Sequence, residues 1–197
     1  MEKYDFDRAL EVLNNHGVIA FPTETVMGLG VFYDDKDAYN YLNSIKGRPE
    51  DKPYTMMLAS VELIKDYAYV DEIADKLIKA FMPGPITLLL KAKSNIPSYV
   101  THGTAIIGVR VPNHELSLEV LMRMGKPLLV PSANRSGERP AITSLEVKEI
   151  FGDEVGYVFE GEASRLAPST IIDLTKSPYI IIREGPITKE MIEEVLK

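Results

Sequence analysis

The sequence predicts an α/β fold built on a mixed sheet, and three observations carry that reading. Segments of helical period alternate with short apolar runs of strand character. Two neighbouring strand-like runs, 86–92 and 105–111, have no predicted helix between them, which points to a mixed sheet rather than a purely doubly wound one. No repeat, low-complexity tract or Gly/Ser linker interrupts the 197 residues, which predicts a single domain over 1–197.

Taken in order, the first helix is expected over 5–16, with Phe6, Leu10 and Leu13 on one face and Gly17 ending it. Strands follow at 18–21 and 28–33, a helix at 35–45 and a strand at 54–59. The helix at 71–81 places Ile73, Leu77 and Phe81 together on the core side. Beyond the strand pair lie a helix at 114–124, a strand at 128–131, a helix at 144–151, strands at 170–173 and 179–183, and a last helix at 188–196.

Composition narrows the function classes. The chain is 45% hydrophobic and 26% charged, in the range of soluble globular proteins, and its apolar runs are too short to span a bilayer. The N-terminal residues show no basic patch followed by an apolar one, so no secretory leader is expected and the reading is cytoplasmic. With no cysteine, disulfides, thiolate metal sites and thiol catalysis are excluded. A net charge of −7 argues against a general nucleic-acid binder. Yet 84–113 carries Lys91, Lys93 and Arg110 without an acid, and 123–139 carries Arg123, Lys126, Arg135 and Arg139 against Glu138 alone. Local basic clusters of that kind suit a small anionic ligand.

Candidate chemistry gathers in loops at strand ends, where a rigid scaffold presents binding groups. Residues 22–30, Pro-Thr-Glu-Thr-Val-Met-Gly-Leu-Gly, offer hydroxyls and backbone N–H groups for a carboxylate or amine, and serve equally well to bond their own turn. Lys46, Arg48 and Lys52, spaced by Gly47 and Pro49, can converge on a triphosphate; Glu50 and Asp51 can instead neutralise them in a solvated turn. In 130–137, Ser132 and Asn134 address one ligand if the segment stays extended, while local Ser and Asx turns are the ordinary alternative. The fourth loop is Pro168-Ser169-Thr170, with Arg183 at the end of a later apolar strand as a rim residue or an anion ligand. No P-loop, dinucleotide-binding glycine motif or zinc-protease motif occurs, and His16, His102 and His114 read as structural or solvent-facing.

Seven blocks in one order carry a resemblance: Pro22-Thr23-Glu24-Thr25 with Gly28-Leu29-Gly30, Lys46-Gly47-Arg48-Pro49 with Lys52-Pro53, Pro83-Gly84-Pro85-Ile86-Thr87, Val109-Arg110-Val111-Pro112, Pro131-Ser132-Ala133-Asn134-Arg135-Ser136-Gly137, Pro168-Ser169-Thr170-Ile171-Ile172-Asp173 and Arg183-Glu184-Gly185. Together they resemble the threonylcarbamoyl-AMP synthase family built on the YrdC-like domain, in its single-domain form. The resemblance implies an open twisted sheet flanked by helices around a basic cleft. It implies ATP contacts by Arg48, Lys52, Ser132, Asn134, Thr143 and Arg183, threonine contacts by Thr23, Thr25, Arg110 and Ser169, and Lys46 and Arg48 as the catalytic cations. Met27 stands where the family commonly has an aromatic, and Met57 where it often has a polar ring.

The implied reaction joins L-threonine, bicarbonate and ATP into threonylcarbamoyl-adenylate for the N6-threonylcarbamoyladenosine modification of tRNA. Mg²⁺ is expected on the ATP phosphates rather than in a protein cage. Weak tRNA binding and a downstream threonylcarbamoyl-transferase complex are implied partners, with no membrane. The alternatives are an RNA-binding module using the same cleft and carbamoyl transfer to another acceptor.

Overall fold

The computed structural model describes residues 4–47, 53–164 and 167–197. Eight helices are formed there: α1 Phe6–Asn14, α2 Lys36–Lys46, α3 Ile64–Tyr67, α4 Glu72–Phe81, α5 Ser98–Thr101, α6 Glu115–Met124, α7 Ser144–Phe151 and α8 Lys189–Leu196. The strands are β1 Ile19–Phe21, β2 Gly28–Phe32, β3 Thr55–Met57, β4 Ile86–Lys91, β5 Ile106–Arg110, β6 Leu128–Leu129, β7 Tyr157–Val158, β8 Thr170–Asp173 and β9 Ile180–Arg183. Side chains that accept a backbone N–H three residues on start most of the longer helices: Asp5, Asp35, Asp71, His114, Thr143 and Thr188.

The strands join one sheet in the order β7-β1-β2-β6-β3-β5-β4-β8-β9. It is mixed, as the sequence predicts. The pairs β1·β7, β3·β5 and β4·β8 are parallel; β1·β2, β2·β6, β3·β6, β4·β5 and β8·β9 are antiparallel. The connection between β4 and β5 carries only the single-turn α5, and the two strands form an antiparallel pair that sets Leu88 opposite Val109 and Leu90 opposite Ile107. β7, α3 and α5 are too short to announce themselves in sequence periodicity, and the sequence reading lacks all three.

Alternation along each strand splits the core in two. Ala20, Leu29, Val31, Met56, Leu88, Val109, Leu129 and Ile172 face one side, where α2, α4, α7 and α8 contribute Leu42, Leu77, Val147 and Ile192. Ile19, Phe21, Phe32, Met57, Leu128 and Val130 face the other, under α1 and α6 with Leu13, Val120 and Leu121. Two of the predicted helical faces shift. In α4 the buried residues are Ala74, Leu77 and Ile78, while Ile73 is exposed. In α1 they are Phe6, Ala9, Val12 and Leu13, with Leu10 only half-buried. Both segments offer more apolar positions than one stripe accommodates, and docking on the sheet selects among them.

The second face bears directly on function. α1 and α6 pack against residues of β1, β6 and β7, at one end of the sheet. Register puts Thr55 and Met57 of β3, Gly108 and Arg110 of β5, Thr87 of β4, Ile171 of β8 and Arg183 of β9 on one common side. Most of these side chains line the cavity described next.

Candidate functional site

A cavity of about 220 Å³ lies over that face. Four segments build it: the loop after β1, the β3 and β5 strands, the segment following β6, and the approach to β8 with the end of β9. Six of the residues singled out in the sequence line it together: Thr23, Thr25, Arg110, Ser132, Ser169 and Arg183. Glycines let these segments close up. A Cβ on Gly28 would sit 2.6 Å from Val130 Cγ1, and one on Gly185 would sit 2.1 Å from the Pro168 carbonyl oxygen. Only a residue without a side chain fits at 185, because the obstacle is backbone.

Two cations and no carboxylate occur among the described lining residues. Arg110 is 4% exposed as a residue, and its Nη2 meets Glu24 Oε1 at 2.8 Å. The same Nη2 donates to Thr25 Oγ1 at 3.3 Å. Arg183 stands at the exposed end of β9, with its guanidinium turned inward: Nε donates to the Ser169 carbonyl at 2.9 Å and Nη2 to Ser169 Oγ at 3.3 Å. Partial burial lowers the Arg183 pKa, and the neighbouring Arg110 charge lowers it further. Its ordinary value is so high that Arg183 remains a cation, which makes this end of the cavity a place for an anion.

The hydroxyls are ordered by their partners. Thr23 Oγ1 donates to the Val26 carbonyl at 2.7 Å and accepts the Thr25 and Val26 N–H groups. A carbonyl oxygen only accepts, so in the 2.9 Å contact between Thr23 and Thr25 the proton comes from Thr25. Thr23 thus spends its hydroxyl on its own turn, and Thr25 is the member with a lone pair left. Ser169 Oγ lies 3.0 Å from the buried Thr87 Oγ1, which extends the polar floor onto β4.

Other sequence candidates have different settings. Lys46 ends α2, is 2% exposed, and donates to the carbonyl oxygens of Ser132 at 2.6 Å and Asn134 at 2.7 Å. It lies behind the 131–137 segment rather than among the lining residues. Ser132 and Asn134 do not run extended, because Asn134 N–H turns back to the Ser132 carbonyl at 3.1 Å. Ser132 Oγ donates to Asn134 Oδ1 at 2.6 Å, and Asn134 Nδ2 donates to the carbonyls of Arg135 and Glu138. The two side chains address each other, the local-turn alternative. Thr143 caps α7 in a reciprocal pair with Glu146 and lies outside the cavity lining. Arg48 and Lys52 lie outside the described residues.

Nor does the 123–139 basic stretch converge on a ligand. Arg123 pairs with Glu119, Lys126 with Asp34, Arg135 with Glu154 and Arg139 with Glu146. Lys91 and Lys93 lie over the Tyr69 ring, outside the cavity lining. Sequence reasoning gave Glu24 no role, although an acid between two threonines just after an apolar strand is the signal that a nearby buried cation needs a counter-ion. Met27 and Met57 both line the cavity.

Comparison with known proteins agrees with this arrangement. The family model Sua5_yciO_yrdC, described as "Telomere recombination", matches residues 11–185. The chain belongs to the Sua5/YciO/YrdC family. The threonylcarbamoyl-AMP synthase of Pyrococcus abyssi is 35% identical over 198 residues, covering 100% of this chain and 58% of that protein. That of Klebsiella pneumoniae is 37% identical over 168 residues, covering 84% of this chain and 88% of the relative. The crystal structure of P. abyssi Sua5 complexed with L-threonine superposes with a TM-score of 0.93 at 35% identity, over 100% of this chain and 58% of that one. The chain therefore spans little more than half the length of its Pyrococcus relative.

Proposed function

We propose that this Sua5/YciO/YrdC protein is a threonylcarbamoyl-AMP synthase, converting L-threonine, bicarbonate and ATP into threonylcarbamoyl-adenylate, pyrophosphate and water. The observation that carries the reading is the single cavity in which Thr25, Arg110, Ser132, Ser169 and Arg183, scattered over the chain, meet. It is supported by two relatives of that name and by the threonine complex of P. abyssi Sua5.

The reaction asks for positioning rather than a protein nucleophile. The threonine amine takes up bicarbonate with loss of water, or carbon dioxide with loss of a proton, to give N-carboxy-threonine. A carboxylate oxygen of that carbamate then attacks the α-phosphorus of ATP, and the bond to the β-phosphate oxygen breaks to release pyrophosphate. Catalysis consists of holding the two anions together and offsetting charge. We assign the amino acid to the Thr25, Arg110 and Ser169 side of the cavity and the nucleotide to the Ser132 and Arg183 side. Arg48 and Lys52 serve the triphosphate, and Lys46 serves the reaction by holding the loop that bears Ser132. Asn134 stiffens that loop and Thr143 anchors the helix beyond it.

Mg²⁺ enters this scheme bound to the nucleotide. Among the described residues no group of three His, Asp or Glu side chains is arranged to hold a metal, and the cavity lining has hydroxyls and cations to offer. On the phosphates the ion supplies charge neutralisation. The product belongs to N6-threonylcarbamoyladenosine formation on tRNA, with a separate transferase complex downstream, and we place the protein in the cytoplasm. None of the helices among the described residues is long and apolar enough to cross a membrane.

The test is a mass measurement of products after incubation with ATP, Mg²⁺, bicarbonate and threonine. A threonylcarbamoyl-adenylate peak that requires all the substrates supports the proposal. Pyrophosphate release that ignores threonine, or salt-sensitive RNA binding with no adenylate formed, refutes it.

A further inference from the structure

Glu24 is the acidic residue of the Pro22–Thr25 turn, and it is buried, with 5% of its surface exposed. Burying a carboxylate costs several kcal/mol unless a cation and hydrogen bonds compensate it, so its surroundings should say what it is for. Its Oε1 accepts Arg110 Nη2 at 2.8 Å and the Asn113 backbone N–H at 3.1 Å. The N–H fixes the carboxylate, and the carboxylate fixes the guanidinium. Glu24 is absent from the cavity lining, and Arg110 is part of it, so the acid acts through the arginine.

The consequence reaches the ligand side through Thr25. Its proton goes to Thr23, because the Thr23 proton is already on the Val26 carbonyl. One of its lone pairs receives Arg110 Nη2. What Thr25 then offers the cavity is a single lone pair, an acceptor with no donor. Such a group welcomes an amine N–H and leaves a carboxylate or a ketone oxygen without a partner. Arg183, near Arg110 and with no carboxylate partner among the described residues, supplies the opposite preference from the Ser169 side of the same cavity.

We propose that Glu24 is a positioning residue for the amino-acid substrate: by pinning Arg110 it holds the guanidinium against the Thr25 hydroxyl, whose proton Thr23 takes, and so keeps this part of the cavity offering one oriented acceptor to a ligand that carries an amine. The inference rests on the threonine-dependent reading given above and adds to it the residue that sets amine selection. Without the Glu24 charge, Arg110 becomes a buried cation lacking a counter-ion and turns toward any anion in the cavity, which takes its N–H off Thr25 and favours a carboxylate over an amine.

The test compares binding of L-threonine and of 3-hydroxybutyrate, which keeps the carboxylate, methyl and hydroxyl but lacks the amine, by titration calorimetry on the full chain. Wild type should favour threonine, and Glu24→Gln should lower the ratio of the two affinities by about tenfold or more, the equivalent of one lost hydrogen bond to a charged group. Its ATP affinity should stay within about twofold. Glu24→Asp keeps the charge with a shorter reach and should fall between. An unchanged affinity ratio in Glu24→Gln overturns the proposal, as does a parallel loss of ATP and threonine binding, the mark of general damage. If Glu24→Gln does not fold, the neutral pair Glu24→Gln/Arg110→Gln removes the buried charge mismatch; wild-type amine preference in that pair also overturns it. Because binding is read without turnover, a protein that discriminates as described yet forms no adenylate would refute the proposed reaction and leave the Glu24 assignment standing.

Discussion

The ammonium of Lys46 lies 2.7 Å from the carbonyl oxygen of Asn134, and it reaches the Ser132 carbonyl from the same buried position. A cation at the end of α2 thus ties down the segment that carries Ser132 to the cavity. Lys46→Met keeps the apolar stem and leaves two buried carbonyls without this donor, which should cost about 2–5 kcal/mol of stability. Thermal or urea denaturation reads this directly. A variant that loses adenylate formation with an unchanged melting temperature would instead put the Lys46 charge in the chemistry itself.

Arg183 gives the contrasting case. Its contacts are with Ser169, and it stands at the cavity rim rather than inside the core. Arg183→Ala should leave stability nearly unchanged and reduce kcat/KM for adenylate formation by about 30- to 800-fold, corresponding to about 2–4 kcal/mol of transition-state stabilisation. Pyrophosphate release measured over a range of ATP concentrations checks it, and a wild-type rate would remove Arg183 from the site.

Gly185→Ala tests how tightly the β8 approach is held against the end of β9. The added methyl would lie 2.1 Å from the Pro168 carbonyl oxygen and 2.8 Å from Thr170 N, so backbone must move on one side or the other. Moving it displaces Ser169 and Arg183 together. We expect a loss of about 1–3 kcal/mol in stability and a larger proportional loss of activity, seen by comparing melting temperature with turnover in the same preparation.

Thr143→Ala separates a cap from a ligand contact. The Thr143 hydroxyl accepts the Glu146 N–H, and the Glu146 carboxylate returns the bond to the Thr143 N–H, while Ile142 N–H and Arg139 add to the hold. Removing the hydroxyl should cost about 1 kcal/mol. Hydrogen bonds from Ile142 N–H and Arg139 lower the Glu146 pKa to about 2, so its contribution is present above its ordinary value of 4.5 and is lost as pH falls toward 2. An ATP affinity unchanged in Thr143→Ala would confine this threonine to the cap.

Two histidines should bend the pH–stability curve in opposite senses. His16, at φ 61°, bonds Asp35 at 2.8 Å, and that acceptor raises its pKa. Its stabilisation is complete below the ordinary histidine value of 6.5 and disappears as pH rises through the folded-state pKa. His114 caps α6 by accepting the Ser117 N–H on Nδ1, and burial lowers its pKa. Its contribution is present above 6.5 and declines as pH falls from there toward the folded-state value. Melting temperatures from pH 5 to 8 for His16→Asn and His114→Asn check both signs; asparagine tolerates the left-handed backbone at 16 and caps the helix at 114.

By itself the sequence determined the order of the longer elements, the mixed sheet and the loops that matter, because period, caps and turn residues are local properties written within a few positions. The mixed character of the sheet was legible in the connection between β4 and β5, which holds no more than the single turn of α5, and the order of short blocks revealed the family. Which face of α4 turns inward was decided by packing, since Ile73 and Ala74 compete for the same stripe and only the sheet beneath chooses. The same holds for charge. Arg135 and Arg139 read as ligand groups along the chain, but Glu154 and Glu146, brought alongside by folding, claim them. Lys46 reads as a catalytic cation, whereas in three dimensions it meets two carbonyls more than 80 residues away in sequence. Glu24 gained a role only when β5 placed Arg110 beside it. A charge has no fixed use until its partner's distance is set, and for these residues that distance depends on contacts far along the chain, which only the tertiary structure supplies.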